Sequence, residues 1–159
     1  METTDRRLTP RVRDVTATGV CDPLSFGSGG TYTRVYDSTT TEDSVPLRPI
    51  CNPITERPRW NGFSWDATVA PTRANTYVEF EFRGARSRAA LATATPVRFR
   101  TPSQTSPLPN VSALFTAAGL PAQEPFLEVR AILGSTVSPG TETATLRNFA
   151  MEFVCEPTG

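Results

Sequence analysis

The chain has 159 residues, with sixteen acidic and sixteen basic side chains and no histidine. Balanced charge removes the long-range field that draws a protein to nucleic acid or to an acidic membrane surface. Without histidine the commonest general base and metal ligand is gone, and with it every Ser-His or Cys-His nucleophile pair.

All the basic residues are arginine. A Schiff-base lysine and a phosphate-loop lysine are therefore excluded, and the bias reads as a trace of a GC-rich source. No window approaches the roughly 18 apolar residues of a membrane span, so no membrane insertion is expected. Met1 to Pro10 is polar and has no apolar h-region, so it does not read as a signal peptide. The length suits one domain: an N-terminal arm and first strand over 1–30, then a sandwich over 31–159. A domain of this size buries roughly 70% of its unfolded surface, enough for a core without metals.

In chain order, Arg11 to Val20 and Thr31 to Tyr36 are rich in β-branched residues and predict strands. Gly27-Ser28-Gly29-Gly30 between them is a turn, since neither a helix start nor a lysine follows to make a phosphate loop. Residues 37–59 read as a long loop. Within it Asp37, Glu42 and Asp43 lie among Ser38, Thr39, Thr40 and Thr41, a set of oxygens that calcium could use. The spacing is not that of an EF-hand, and a plain acidic loop is the simpler reading. Calcium is the one cofactor left open.

Period-two alternation then takes over. Phe63, Trp65, Ala67 and Val69 share one face after an Asn61-Gly62 turn, and Val78, Phe80 and Phe82 oppose Glu79 and Glu81. Val97 and Phe99 alternate with Arg98 and Arg100, and Leu127, Val129, Ala131 and Leu133 with Glu128 and Arg130. Phe149, Met151, Phe153 and Cys155 share the last face. Each run predicts a strand with one buried and one wet side. Asn110 to Gly119 carries a cap and a stop and predicts a helix of about two turns. The sum is an all-β chain: an antiparallel β-sandwich of jelly-roll type with at most one short helix.

Cys21, Cys51 and Cys155 are too few and too widely spaced for a zinc site without histidine. They predict one disulfide and one spare thiol, hence an oxidising compartment. Cys51 with Cys155 and Cys21 with Cys51 are both open pairings.

Three segments together carry a resemblance. They are Arg59-Trp60-Asn61-Gly62-Phe63-Ser64-Trp65 with Tyr77-Val78-Glu79-Phe80, then Phe126 to Leu133, then Leu146 to Cys155. Over residues 31–155 the chain resembles the jelly-roll, concanavalin-like accessory domains of bacterial secreted and surface proteins, including adhesins and pilus-associated proteins. The resemblance implies a secreted or cell-surface, non-enzymatic role in adhesion or recognition. It carries over no ligand residue.

Among side chains that could carry chemistry, Glu79 and Glu81 stand two apart on one strand face. Their spacing is within reach of a glycosidase pair, yet they would line one side of a bond and not both. They read as a solvated face, so no catalytic residue is assigned. Trp60, ahead of the Asn-Gly turn, can stand exposed as a platform for a sugar ring, with Arg59, Asn61 and Asp66 as hydrogen-bonding neighbours. Trp65 belongs to the core. Arg83, Arg86 and Arg88 can meet an anionic glycan or phosphate, although a solvated loop is the default. Asn110-Val111-Ser112 matches a glycosylation sequon, a pattern frequent by chance.

The expected function is recognition of a surface glycan or a neighbouring protein domain. A self-assembling structural subunit is the alternative, and a carboxylate-based glycoside hydrolase the second. A homo-oligomer is compatible with the assembly reading, and nucleic acid is not an expected partner.

Overall fold

A computed structural model describes residues 24–25, 30–39, 50–69, 75–101, 110–136 and 144–159. The strand expected over Arg11 to Val20, the Gly27-Ser28-Gly29 turn, Cys21, Glu42 and Asp43 lie outside the described residues.

Seven strands are described: β1 (Leu24–Ser25), β2 (Gly30–Asp37), β3 (Glu56–Thr68), β4 (Thr76–Ala85), β5 (Val97–Thr101), β6 (Phe126–Ser135) and β7 (Thr145–Pro157). One α-helix, α1 (Val111–Ala117), and one short 3-10 helix, Ala89–Thr93, complete them. The strands form two antiparallel sheets, ordered β1-β7-β3 and β2-β6-β4-β5. The all-β sandwich with a single short α-helix is thus the observed fold.

The two orders are informative. An eight-stranded jelly roll orders its sheets first–eighth–third–sixth and second–seventh–fourth–fifth. The present orders match that pattern with the sixth strand missing among the described residues. Helix α1 stands at the missing strand's place in the sequence, between β5 and β6, and packs on β3.

The alternating residues build the core. Phe63 sits at its centre, 4.7 Å from Phe80 and 5.1 Å from Phe82 in edge-on contacts that join the two sheets. Trp65 closes on Phe80 and Phe99 at 5.3 and 5.7 Å. Leu127, Val129, Ala131 and Leu133 of β6 are fully buried opposite Phe149 and Met151 of β7. Edge-to-face pairs of this kind contribute about 0.5–1.5 kcal/mol beyond burial.

Asn61-Gly62 is not a turn. β3 runs unbroken from Glu56, and its register against β7 slips between Trp60 and Gly62, which makes Asn61 the extra residue of a bulge. The loop expected over 37–59 accordingly ends earlier. The bulge flips the pleat, so Trp60 and Phe63, three residues apart, both point inward. A Cβ at Gly62 would lie 2.8 Å from Glu152 Oε2, so the Glu152 side chain would have to shift to admit one.

The outer face of the four-stranded sheet is a lattice of ion pairs, not the solvated face its alternation suggests. Glu81 is 2% exposed. Its Oε2 accepts from Arg98 Nε at 3.0 Å and lies 2.9 Å from Arg98 Nη2. Arg83 Nη2 stands 2.7 Å from Oε1, not aligned for a hydrogen bond, and Arg130 Nη1 is at 3.7 Å. Arg83 also bonds Glu128 at 3.0 Å, and Arg100 bonds Glu79 at 3.0 Å. Strand register makes this possible, since Glu81 faces Arg98 on one side and Arg130 on the other. The guanidinium heads themselves enclose the carboxylate, Arg83 from a mostly buried position and Arg98 from an exposed one.

Next to it Arg100 stacks 3.9 Å above the Tyr77 ring, and Tyr77 covers Gly134 of β6. A Cβ on Gly134 would come within 2.4–2.7 Å of Tyr77 ring and hydroxyl atoms. Gly134→Ala is expected to cost about 1–3 kcal/mol through overpacking, measured by urea unfolding.

Candidate functional site

The site begins at the edge of β3 that faces away from β7. Among the described residues α1 packs on that strand, and side chains meet its edge at Trp60. Trp60 N–H donates to Ser112 Oγ at 2.9 Å, and Ser112 Oγ donates to the Ala122 carbonyl at 2.8 Å. The Trp60 indole N–H donates to the Glu124 carbonyl at 3.0 Å. Trp60 therefore directs its backbone away from β7. Alternation puts Pro58, two residues earlier, in the same state, where proline has no N–H to offer. The edge is closed to another strand at these positions. Ser112→Ala would leave a buried N–H unmade, at an expected cost of about 1–3 kcal/mol in denaturant unfolding.

A helix closes an edge less completely than a strand, and a groove of about 1120 Å³ remains at this end of the sandwich. One wall is Glu56 to Arg59 of β3, and another is the exposed face of α1 with Ala113, Thr116 and Ala117. The segment Pro121 to Pro125 lines it as well, with Ser38 and Cys51. Helix α1 is held by Asn110, whose Oδ1 accepts from Ala113 N–H at 3.0 Å, so the sequon asparagine acts as an N-cap.

The disulfide fastens this end. Cys51 is bonded to Cys155, which stands opposite Pro58 in the β3–β7 ladder. Cys51 N–H also donates to the Ser38 carbonyl at 2.8 Å, and Ser38 N–H to the Pro125 carbonyl at 3.0 Å. The chain leaving β2 is thereby tied to the opposite sheet. Of the two pairings open from sequence, this is the one formed. After Cys51 the turn is strapped internally: Ile54 N–H donates to Asn52 Oδ1, and Asn52 N–H to Glu56 Oε2. It projects Ile54, which is 81% exposed.

At the rim, arginines stand over less exposed glutamates. Arg86 is 91% exposed and stands 3.8 Å from Glu124, whose side chain is 14% exposed. Arg59 lies 3.2 Å from Glu156, which also accepts from Gln123. Arg57 donates to the Pro53 and Glu56 carbonyls.

The residues expected to bind a sugar do not converge. Trp60 is 1% exposed, its ring 4.9 Å from Phe153, so the exposed platform is corrected to a core position. The bulge at Asn61 is what turns it inward. Asn61 itself is the bulged residue, and Asp66 pairs with Arg147 at 3.1 Å. Only Arg59 of that group lines the groove. The arginine cluster also divides: Arg83 is held by Glu81 and Glu128, while Arg86 stands at the groove. Of the acidic loop, Asp37 binds the Thr39 N–H and hydroxyl through Oδ1. Among the described residues no cluster of three or more histidine, cysteine or acidic side chains could hold a metal ion. None of their helices is long and apolar enough to cross a membrane.

No family model and no curated protein matches the chain. A solved structure of accessory secretory protein 1, 2 and 3 from Streptococcus pneumoniae is similar at 11% identity, covering 96% of this chain and 99% of that one. Its TM-score is 0.40.

Proposed function

We propose that the chain is a non-enzymatic recognition module that works outside the reducing cytosol and meets a protein surface through the groove at its disulfide-fastened end. The observation that carries this is the groove itself, a concave surface where α1 packs beside β3 and no sixth strand is seen among the described residues. Departures from a regular fold tend to mark functional sites. The Cys51–Cys155 bond supports the compartment, since such bonds persist where thiols are not kept reduced.

Two features favour a protein over a glycan. No aromatic ring lines the groove among the described residues, whereas sugar sites use flat rings as platforms. Ile54 stands exposed on a strapped turn at the rim, and pre-ordered apolar anchors suit protein contacts. The hydrolase reading loses its best acids, because Glu79 and Glu81 are engaged by arginines.

The test is binding of the fluorescently labelled chain to cells of its source organism. Binding should saturate, fall about tenfold or more with Ala117→Trp, which fills the groove from an exposed position, and persist with Thr33→Glu on the far sheet. Protease treatment of the cells should abolish it. Binding that survives protease but not periodate would assign a glycan instead.

A further inference from the structure

From the charge and shape of the groove, and resting on the reading just given, we infer that its occupant is a linear protein segment in which carboxylates alternate with aliphatic side chains. The segment is read by its side chains and does not add as a strand.

Backbone pairing is prevented on the β3 wall. Pro58 has no N–H, and the Trp60 N–H already belongs to Ser112. Glu56 offers its carbonyl to Arg57 Nη1 at 2.8 Å. A segment lying here finds no ladder to join, so recognition falls to side chains. The helix wall presents Ala113 and Ala117, with Ala122 and Pro121 beside them. Small apolar residues leave room for aliphatic branches to approach closely. Ile54, next in sequence to the groove-lining Pro53, adds an exposed apolar side chain.

Charge decides the rest. The groove and its rim hold arginines and glutamates in similar number, but not at similar exposure. Arg86 reaches water at 91% over a Glu124 that is 14% exposed, and Arg59 at 46% over a Glu156 at 36%. Arg57 donates to two backbone carbonyls, of Pro53 and Glu56. An arriving segment thus meets guanidinium groups first. Guanidinium pairs best with carboxylates, in a two-pronged geometry that ammonium cannot match.

The experiment selects a random dodecapeptide phage library on the immobilised full chain. Selection is repeated on Arg57→Glu/Arg86→Glu, on Arg86→Glu alone, and on Ala117→Trp. Arg86 is so exposed that its single variant tests charge without risk to the fold. The expected result is enrichment of peptides with Asp or Glu within two residues of Leu, Ile or Val. Their recovery should fall at least tenfold on each charge-reversed chain and on the plugged one. Peptides lost on Ala117→Trp but retained on both charge-reversed chains would overturn the inference and leave the groove as a recognition site. Peptides that are basic or aromatic would overturn it in the same way. No enrichment, or enrichment indifferent to Ala117→Trp, would overturn both readings. Groove-dependent retention of polygalacturonate in place of peptides would assign the arginines to an acidic glycan.

Discussion

Glu81→Ala is expected to destabilise the folded chain by about 3–5 kcal/mol. The carboxylate is 2% exposed and sits among Arg98, Arg83 and Arg130. Removing it strips all three arginines of their nearest carboxylate and leaves positive charges crowded on one sheet face. The loss is therefore dominated by what stays behind, not by the pair itself. Arg98→Ala should cost less, because its side chain is 60% exposed and water can replace it around Glu81. Urea unfolding of both variants checks the order. Equal small losses for the two would mean that the lattice is ornamental. The comparison also says whether the lattice fixes register, since Arg98 and Arg100 are the outward contacts of the short edge strand β5.

The Cys51→Ser/Cys155→Ser chain is expected to lose about 2–5 kcal/mol. The bond closes a loop with a sequence separation of 104, and loop-closure entropy for about 100 residues alone amounts to roughly 4.7 kcal/mol. The local consequence is sharper than the global one. Cys51 positions Ser38 and the strapped turn beside the groove, so reduction should loosen that end first. Unfolding of the parent chain with and without reductant should reproduce the double-serine loss. A Cys21→Ser chain should keep the full difference between oxidised and reduced forms. Loss of that difference in Cys21→Ser would show that Cys21 supplies the stabilising bond.

The strands were legible because each buries one face. Val78, Phe80 and Phe82, or Phe149, Met151 and Phe153, leave no other arrangement. The helix was legible from its Asn110 cap, although its consequence was not: packed on β3, it forms one wall of a groove. Trp60 was misread because Asn61-Gly62 is chemically a turn pair. A signal was present all the same, since Trp60 and Phe63 are apolar at a spacing of three, which breaks period two and marks a bulge. Glu81 could not be found from its own strand. Its burial depends on which arginines β5 and β6 bring opposite, and register is a long-range property. The groove unites β3, α1 and the Pro121 to Pro125 segment, so no local pattern announces it.

The most direct measurement is an amide hydrogen-exchange footprint of the chain, free and saturated with a groove-selected peptide. The account predicts added protection at Arg57 and Arg59 of β3, at Ala113 to Ala117 of α1 and around Gln123 and Glu124, with the ion-pair face of β4 and β6 unchanged. Protection centred on that outer face, with the α1 segment unaltered, would contradict it.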